Sequence, residues 1–573
     1  MNGSGASRGS LRQPESEKRY GGAYQAPLFP LRRYFRLFDS SCIITLLLVL
    51  FISVFLLYPV IKVFLYPSMA QYINAITRPL ALRALRNSLF ITVISTISSV
   101  LVGFLYAYAM NYTKIPGKTF FHIISVLPLL SPPFVVALAW ILLFGPRGLI
   151  TYSLLRVRWN IFGWQGLWLV QTLAFFPYAY LVIDNVLSSI DPTLEYAAVN
   201  LGGTGKQTFL TITVPLALPG ILNAALLNAI YILADFGNPI VIAGSWPVLP
   251  TTIYGLISGH YDVHSAASLS TMLLLPSIIF YIISRSALGS KSYVTVTGRS
   301  SGLSKKLVSP TTTVMLFVFC SLVAFIIIVV YGVLLVGAFT ETWGLKWALT
   351  LRHWSALSGT ALQSLINSLI CAIIAGFGAA LLGLMGAQFI HKRFGHIMRF
   401  WDFTFVLPAA IPGIFLGIGY LLAFNAPPIV LSGTLFILIL ALLVWNIPIA
   451  YQTCVAAIKQ IGDEIPYAAI SLGASSVRAF LSTVAPLLRG PFAYGFVMGF
   501  LRAITNLSIV IFLIGPGRNV ATVHIMNLIQ YAEIPRAVVL TVALFGVAII
   551  VAVLAQIVLG IPLFGRGKAR RGS

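Results

Sequence analysis

Glu195-Tyr-Ala-Ala-Val-Asn-Leu-Gly-Gly-Thr-Gly-Lys-Gln-Thr-Phe-Leu-Thr-Ile-Thr-Val-Pro-Leu-Ala-Leu-Pro-Gly220 is a polar island between two long apolar runs, and the chain carries it twice. Tyr196, Ala197, Ala198, Leu201, Gly202, Phe209, Leu210, Pro215 and Leu216 return as Tyr467, Ala468, Ala469, Leu472, Gly473, Phe480, Leu481, Pro486 and Leu487, each 271 positions later. The residue types have a physical logic. Glu195 stands near a helix start, where its charge suits the dipole. Ala197 and Ala198 allow close approach of a partner surface. Gly202 can take a positive φ and end a short helix. Thr204 is placed to cap the next one, and Pro215 and Pro219 punctuate the return to an apolar run.

The rest of the chain says which solvent surrounds that island. Of 573 residues 58% are hydrophobic and 9% charged, against about 25% charged in soluble domains. Several windows hold about 20 apolar residues, enough to cross a bilayer as a helix, and lipid admits only helices or closed barrels. The expected fold is therefore all-α and polytopic. Twelve transmembrane helices are read at roughly 42–65, 87–110, 120–145, 165–188, 218–243, 266–284, 312–338, 367–390, 402–425, 433–456, 490–514 and 537–561. The first run is too long for a signal-peptide core and lacks a clear cleavage site, so it is read as an uncleaved span.

The formal net charge of +24 invites a nucleic-acid reading, but the basic residues sit in short clusters between apolar runs, and no basic domain exists for nucleic acid. With a cytoplasmic N-terminus, 25 of the 37 Lys and Arg fall in cytoplasmic segments and 10 in external ones, while Lys62 and Arg502 lie within spans. That asymmetry follows the positive-inside rule. It puts both termini and both repeated loops in the cytoplasm of a bacterial inner-membrane protein. Cys42, Cys320, Cys371 and Cys454 lie inside apolar runs, without zinc spacing. No cofactor or stable metal is expected.

The duplication runs beyond the loops. Asn87-Ser88-Leu89 returns as Asn367-Ser368-Leu369, Gly103 as Gly383 and Leu127-Pro128 as Leu407-Pro408, all 280 positions on. Pro177/Pro448 and Gly244/Gly515 are 271 apart, so the first half holds nine extra residues, placed in the loop Gly145 to Gly166. An even number of helices per half makes the repeats parallel, with a path on the axis between them. The expected domains are a cytoplasmic tail 1–40, a six-helix repeat 41–290, a cytoplasmic linker 291–311, a second repeat 312–562 and a basic tail 563–573.

Leu201 to Thr208 contains Gly-Gly-Thr-Gly-Lys-Gln, but Asn200 holds the first glycine position of a phosphate loop and Gln207 follows the lysine, so it is no ATP site. Within the spans Asp235 and Asn238 (helix 5) and Arg502 and Asn506 (helix 11) are polar, and Asn506 is the repeat mate of Asp235. Intramembrane ionisable groups are functional candidates by default. The alternative is a structural pair, Asp235 with Arg502. Asp184 can snorkel from the end of helix 4. On the external side Asp262 and Glu533 are 271 apart, with His260 and His264 near the first. They read either as helix caps or as contacts for a binding protein or a hard cation in transit.

The repeated loop, Glu-x-Ala-Ala then glycine then proline, resembles the EAA loop of binding-protein-dependent ABC importer permeases, and Leu127–Trp140, Gly163–Tyr180, Ala234–Ala243 and Gly417–Pro428 resemble the fused ferric-iron members. The resemblance covers nearly all of the chain beyond residue 40. It implies a type I (MetI-like) fold of two six-helix repeats in the lipid bilayer. It also implies a separate ABC ATPase dimer docking at Glu195, Ala197, Ala198, Gly202 and Pro215 and at Glu464, Ala468, Ala469, Gly473 and Pro486. An extracytoplasmic substrate-binding protein would deliver the cargo, and the chain itself would be no enzyme. The second copy departs from the pattern, because Pro466 stands where Glu195 does and Glu464 is the nearest acid. Fused permeases for thiamine, aminoethylphosphonate and other small solutes look similar. An ion-coupled secondary transporter is the reading from another class, and it leaves the paired loops unexplained.

Overall fold

The computed structural model describes residues 40–157, 159–289, 308–391, 396–462 and 464–559. The tails, most of the linker and Asp463 lie outside the described residues. Among the described residues ten helices are long and apolar enough to cross a membrane, and two bent pairs raise the number to twelve. In chain order span 1 is Ser41–Leu65, span 2 Pro79–Tyr112, span 3 Phe134–Leu154, span 4 Trp164–Ser189, span 5 Gly205–Leu233 and span 6 Val263–Ser286. Span 7 is Pro310–Phe339, span 8 Thr360–His391, span 9 Ile397–Ala409 with Gly413–Phe424, span 10 Leu435–Ile458, span 11 Ser476–Leu487 with Arg489–Ile504, and span 12 Ile534–Val558. One two-stranded antiparallel hairpin, Thr340–Thr342 with Lys346–Leu349, follows span 7.

Four of the helices read as continuous are broken. The segment 120–145 is a short helix Lys118–Leu130, a turn at Ser131–Pro133 and then span 3. Its mate 402–425 bends by 110° between Ala409 and Gly413. Span 5 stops at Leu233 and restarts as Gly237–Ile242, and span 11 stops at Ile504 before a short turn Val510–Phe512. Proline explains the first pair of breaks, because Pro132, Pro133 and Pro412 remove backbone donors and clash with the preceding turn. At the second pair Asp235 and Asn506 side chains take over the capping. Asp235 Oδ1 accepts from the Asn238 amide at 3.3 Å and Asn506 Oδ1 from the Ile509 amide at 3.0 Å. Short polar side chains compete with the helix for such donors.

Beyond those breaks each half adds a further helix, Leu249–His260 and Ala521–Gln530. The repeated Asn-Ser pair holds both. Asn87 Nδ2 donates to the Pro247 carbonyl at 2.9 Å, and Ser88 Oγ accepts from the Leu249 amide at 2.8 Å. Asn367 and Ser368 do the same for Asn519 and Ala521. The insertion falls where the duplication puts it: 19 residues separate Phe144 from Trp164, but 10 separate Phe424 from Leu435.

Glycine brings the central helices together. A Cβ on Gly103 would lie 2.8 Å from the Tyr180 nitrogen, and one on Gly383 would lie 2.7 Å from the Tyr451 nitrogen. Spans 2 and 4, and spans 8 and 10, thus cross in close contact at small residues, as membrane helices do when packing rather than water must hold them. Spans 1 and 7 are arms that pack on the opposite half. Tyr420 of span 9 donates to the Phe55 carbonyl of span 1 at 2.6 Å, and Tyr331 of span 7 hydrogen-bonds Ser131 at 2.7 Å. Among the described residues all four cysteines are free thiols.

Candidate functional site

The first repeated loop folds as two short helices at an angle. Asp191 caps Pro192–Asn200, accepting from the Thr193 amide at 2.9 Å. Gly202 ends that helix with φ +88°, and Thr204 opens the next with a reciprocal capping box to Gln207. The second loop repeats the plan, with Gly473 at φ +93° and Ser475 as cap. A Cβ at either glycine would meet nothing within 4 Å. Backbone conformation demands the glycine there, and the surface above it is open.

The outward face is apolar and small. Leu201 is 89% exposed and Leu472 90% exposed. Ala197, Ala468, Pro215 and Pro486 are exposed too, with Ala198 and Ala469 half-buried behind them. Each loop thus carries an exposed leucine at its tip. Both leucines were visible as a repeated pair in the sequence, but hydropathy alone files them with the spans.

The two acids assigned to docking behave differently. Glu464 is exposed. Glu195 is only 2% exposed and points back into the membrane domain, so its helix-start position is not what engages it. Its Oε1 accepts from Tyr112 Oη at 2.7 Å and Thr213 Oγ1 at 2.9 Å. Glu195 therefore ties the loop to the end of span 2 and to the base of span 5. The second half has Pro466 and Val484 at the places of Glu195 and Thr213 and lacks this tether.

The four breaks meet at the middle of the molecule around a cavity of about 120 Å³ lined by both halves. Asp235 and Tyr231 face it from the first half, and their repeat mates Asn506 and Arg502 from the second. Asp235 and Arg502 do not form the expected pair. Asp235 Oδ2 accepts from Gln171 Nε2 at 3.0 Å and from Asn238 Nδ2 at 2.9 Å, and Gln171 in turn accepts from Ser95 Oγ at 3.1 Å. Arg502 lies 4.1 Å from the centre of the Trp445 ring, a cation–π contact that holds the guanidinium in place of an ion pair. Asn238 is fully buried and supports Asp235 without lining the cavity. Irregular backbone at this depth is tolerated because protein and cavity surround it.

The external acids are engaged locally. Asp262 accepts from the Ser265 amide at 3.0 Å and lies 3.5 Å from Arg78. Burial pushes its carboxyl upward, but the Ser265 contacts and Arg78 outweigh that and hold it below the usual range. Glu533 pairs with Arg536 at 2.7 Å. His260 is exposed at the end of its helix, and His264 stacks on Tyr66 at 4.4 Å. Asp184 accepts from Asn111 at 2.7 Å instead of standing free.

Sequence comparison agrees with this duplicated plan. The family described as binding-protein-dependent transport system inner membrane component matches residues 99–290 and again 373–561. The ferric transport system permease protein FbpB of Actinobacillus pleuropneumoniae is 32% identical over 516 residues, which is 85% of this chain and 73% of that protein. The putative ferric transport system permease protein FbpB 1 of Haemophilus influenzae is 33% identical over 501 residues, 83% of this chain and 78% of that one. The molybdenum transport system permease protein ModB of Escherichia coli is 30% identical over 209 residues, 35% of this chain but 91% of its own length. Nine tenths of that relative thus match about a third of this chain. With two matched domains in one polypeptide, loops paired across them and a helical membrane architecture, the chain belongs to the family of binding-protein-dependent transport system inner membrane components.

Proposed function

We propose that this chain is the permease of a ferric-iron ABC importer, without an ATP site of its own, that receives its cargo from an extracytoplasmic binding protein and is driven by a separate ATPase dimer. The observation that carries the substrate is the likeness, over more than four fifths of the chain, to two proteins named for ferric transport. What supports the coupling is the pair of open, apolar, glycine-turned loops. In this reading residues 41–290 and 312–562 are the two repeats, the tails and the linker are cytoplasmic, and the loops centred on Gly202 and Gly473 seat one ATPase subunit each. The central cavity is the passage. Its helix breaks act as hinges, and Asp235, Asn506 and Arg502 meet the cargo there.

Uptake of radiolabelled ferric iron is expected to fall to background in a strain lacking this chain and to return with the wild-type copy. Unchanged iron uptake, with molybdate or sulfate uptake lost instead, would give the substrate to an oxyanion. Arg502, which lines the passage without a carboxylate partner among the described residues, favours that second reading.

The passage has its own test. A cysteine replacing Asn506 is expected to react with a small water-soluble thiol reagent in one nucleotide state of the reconstituted importer and to be shielded in the other. Shielding in every state makes the cavity a packing feature.

A further inference from the structure

A second cavity, of about 580 Å³, lies between the end of span 2, the first loop and the start of span 7. Glu195 lines it. Oε1 of that buried carboxylate is satisfied twice, but Oε2 has no hydrogen-bond partner among the described residues. A buried carboxylate oxygen left bare is costly, and a charged donor relieves that cost best.

The walls say what kind of donor fits. Tyr108 stacks on Tyr112 at 4.6 Å and meets Phe209 edge-on at 5.2 Å, so aromatic rings stand beside the carboxylate. Rings and a carboxylate together suit an ammonium group. Lys206, exposed on the loop, and the Ser309 hydroxyl also line the cavity and suit a phosphate. Phe104 and Leu316 make the apolar remainder. Ammonium, phosphate and hydrocarbon are joined in this order in one class of molecule that surrounds a membrane protein.

We propose that this cavity binds the headgroup of an amine-bearing phospholipid, with its ammonium on Glu195 Oε2 and its phosphate at Lys206. The site is single. The repeat mates of Glu195, Lys206 and Thr213 are Pro466, Val477 and Val484, so the second half does not repeat this set at the matching positions. A bound headgroup would brace the first loop against spans 2 and 7 and leave the second loop to move alone. The inference stands on the cavity, whatever the transported solute.

The test is native mass spectrometry of the full chain released from nanodiscs of mixed phosphatidylethanolamine and phosphatidylcholine. Choline has no N–H to donate to Oε2. Wild type is expected to retain one phosphatidylethanolamine and to prefer it to phosphatidylcholine by about tenfold, the worth of one charge-assisted hydrogen bond. Glu195→Gln keeps an oxygen for Tyr112 and Thr213 and sets an NH₂ where Oε2 was, so it abolishes the preference. Lys206→Ala weakens retention of both lipids alike. Equal retention of the two lipids by wild type, a comparison that needs no variant, overturns the proposal, as does an unchanged preference in Glu195→Gln.

Discussion

Replacing both loop glycines, as Gly202→Asp with Gly473→Asp, is expected to abolish transport while the protein still inserts and purifies. Each glycine has a positive φ, which costs another residue about 1–2 kcal/mol, a local penalty in a surface loop. In the proposed coupling the larger effect is on docking. The space above each glycine is empty, and the exposed Leu201 and Leu472 stand next to it. An aspartate there would place an unpaired charge at the centre of the proposed apolar contact. The loss of a central interface contact costs about 2 kcal/mol or more, so two such sites forfeit about 4 kcal/mol, about a thousandfold in affinity for the ATPase dimer. Co-purification of the ATPase with the membrane protein reads this directly. A double variant that retains the ATPase and transports normally would remove the loops from the coupling scheme. The Glu195 tether adds an asymmetry. Glu195→Ala frees the first loop from span 2, so crosslinking to the ATPase should weaken at that loop and persist at the second.

The second large effect lies in the membrane. Gly383→Leu is expected to prevent assembly of the second half, and Gly103→Leu of the first. A Cβ at 383 would lie 2.7 Å from the Ala450 Cβ, and one at 103 would lie 2.9 Å from the Ala179 Cβ. The backbones of spans 4 and 10 form the opposing surfaces and have no flexible end to move aside. Overpacking a core costs about 1–3 kcal/mol even where side chains can adjust, and here two helix axes must separate. Gly332 of span 7 is the control, because a Cβ there meets nothing within 4 Å. In detergent, Gly332→Leu should give the wild-type size-exclusion peak, whereas Gly383→Leu aggregates or is degraded. A monodisperse, active Gly383→Leu would mean that spans 8 and 10 are not held at that crossing.

Much of this was legible without coordinates, and for identifiable reasons. The spans show as uninterrupted apolar runs because lipid imposes length and composition on every crossing segment. The loop glycines, the capping Thr204 and the nine-residue insertion are local features, set by a few neighbouring residues and made visible by the 271- and 280-residue offsets. The Asn87-Ser88 pair also showed as a repeat, but its purpose did not, because its partners lie about 160 residues on. Long-range partners of this kind are what tertiary structure alone decided. Asp235 settled on Gln171 and not on Arg502, Glu195 turned inward to Tyr112 and Thr213, Arg502 took a tryptophan ring, and spans 1 and 7 crossed to the opposite half. Where water is excluded, a polar group must take whichever partner the packed helices bring within about 3 Å. That partner depends on how the helices cross, which hydropathy and spacing along the chain leave open.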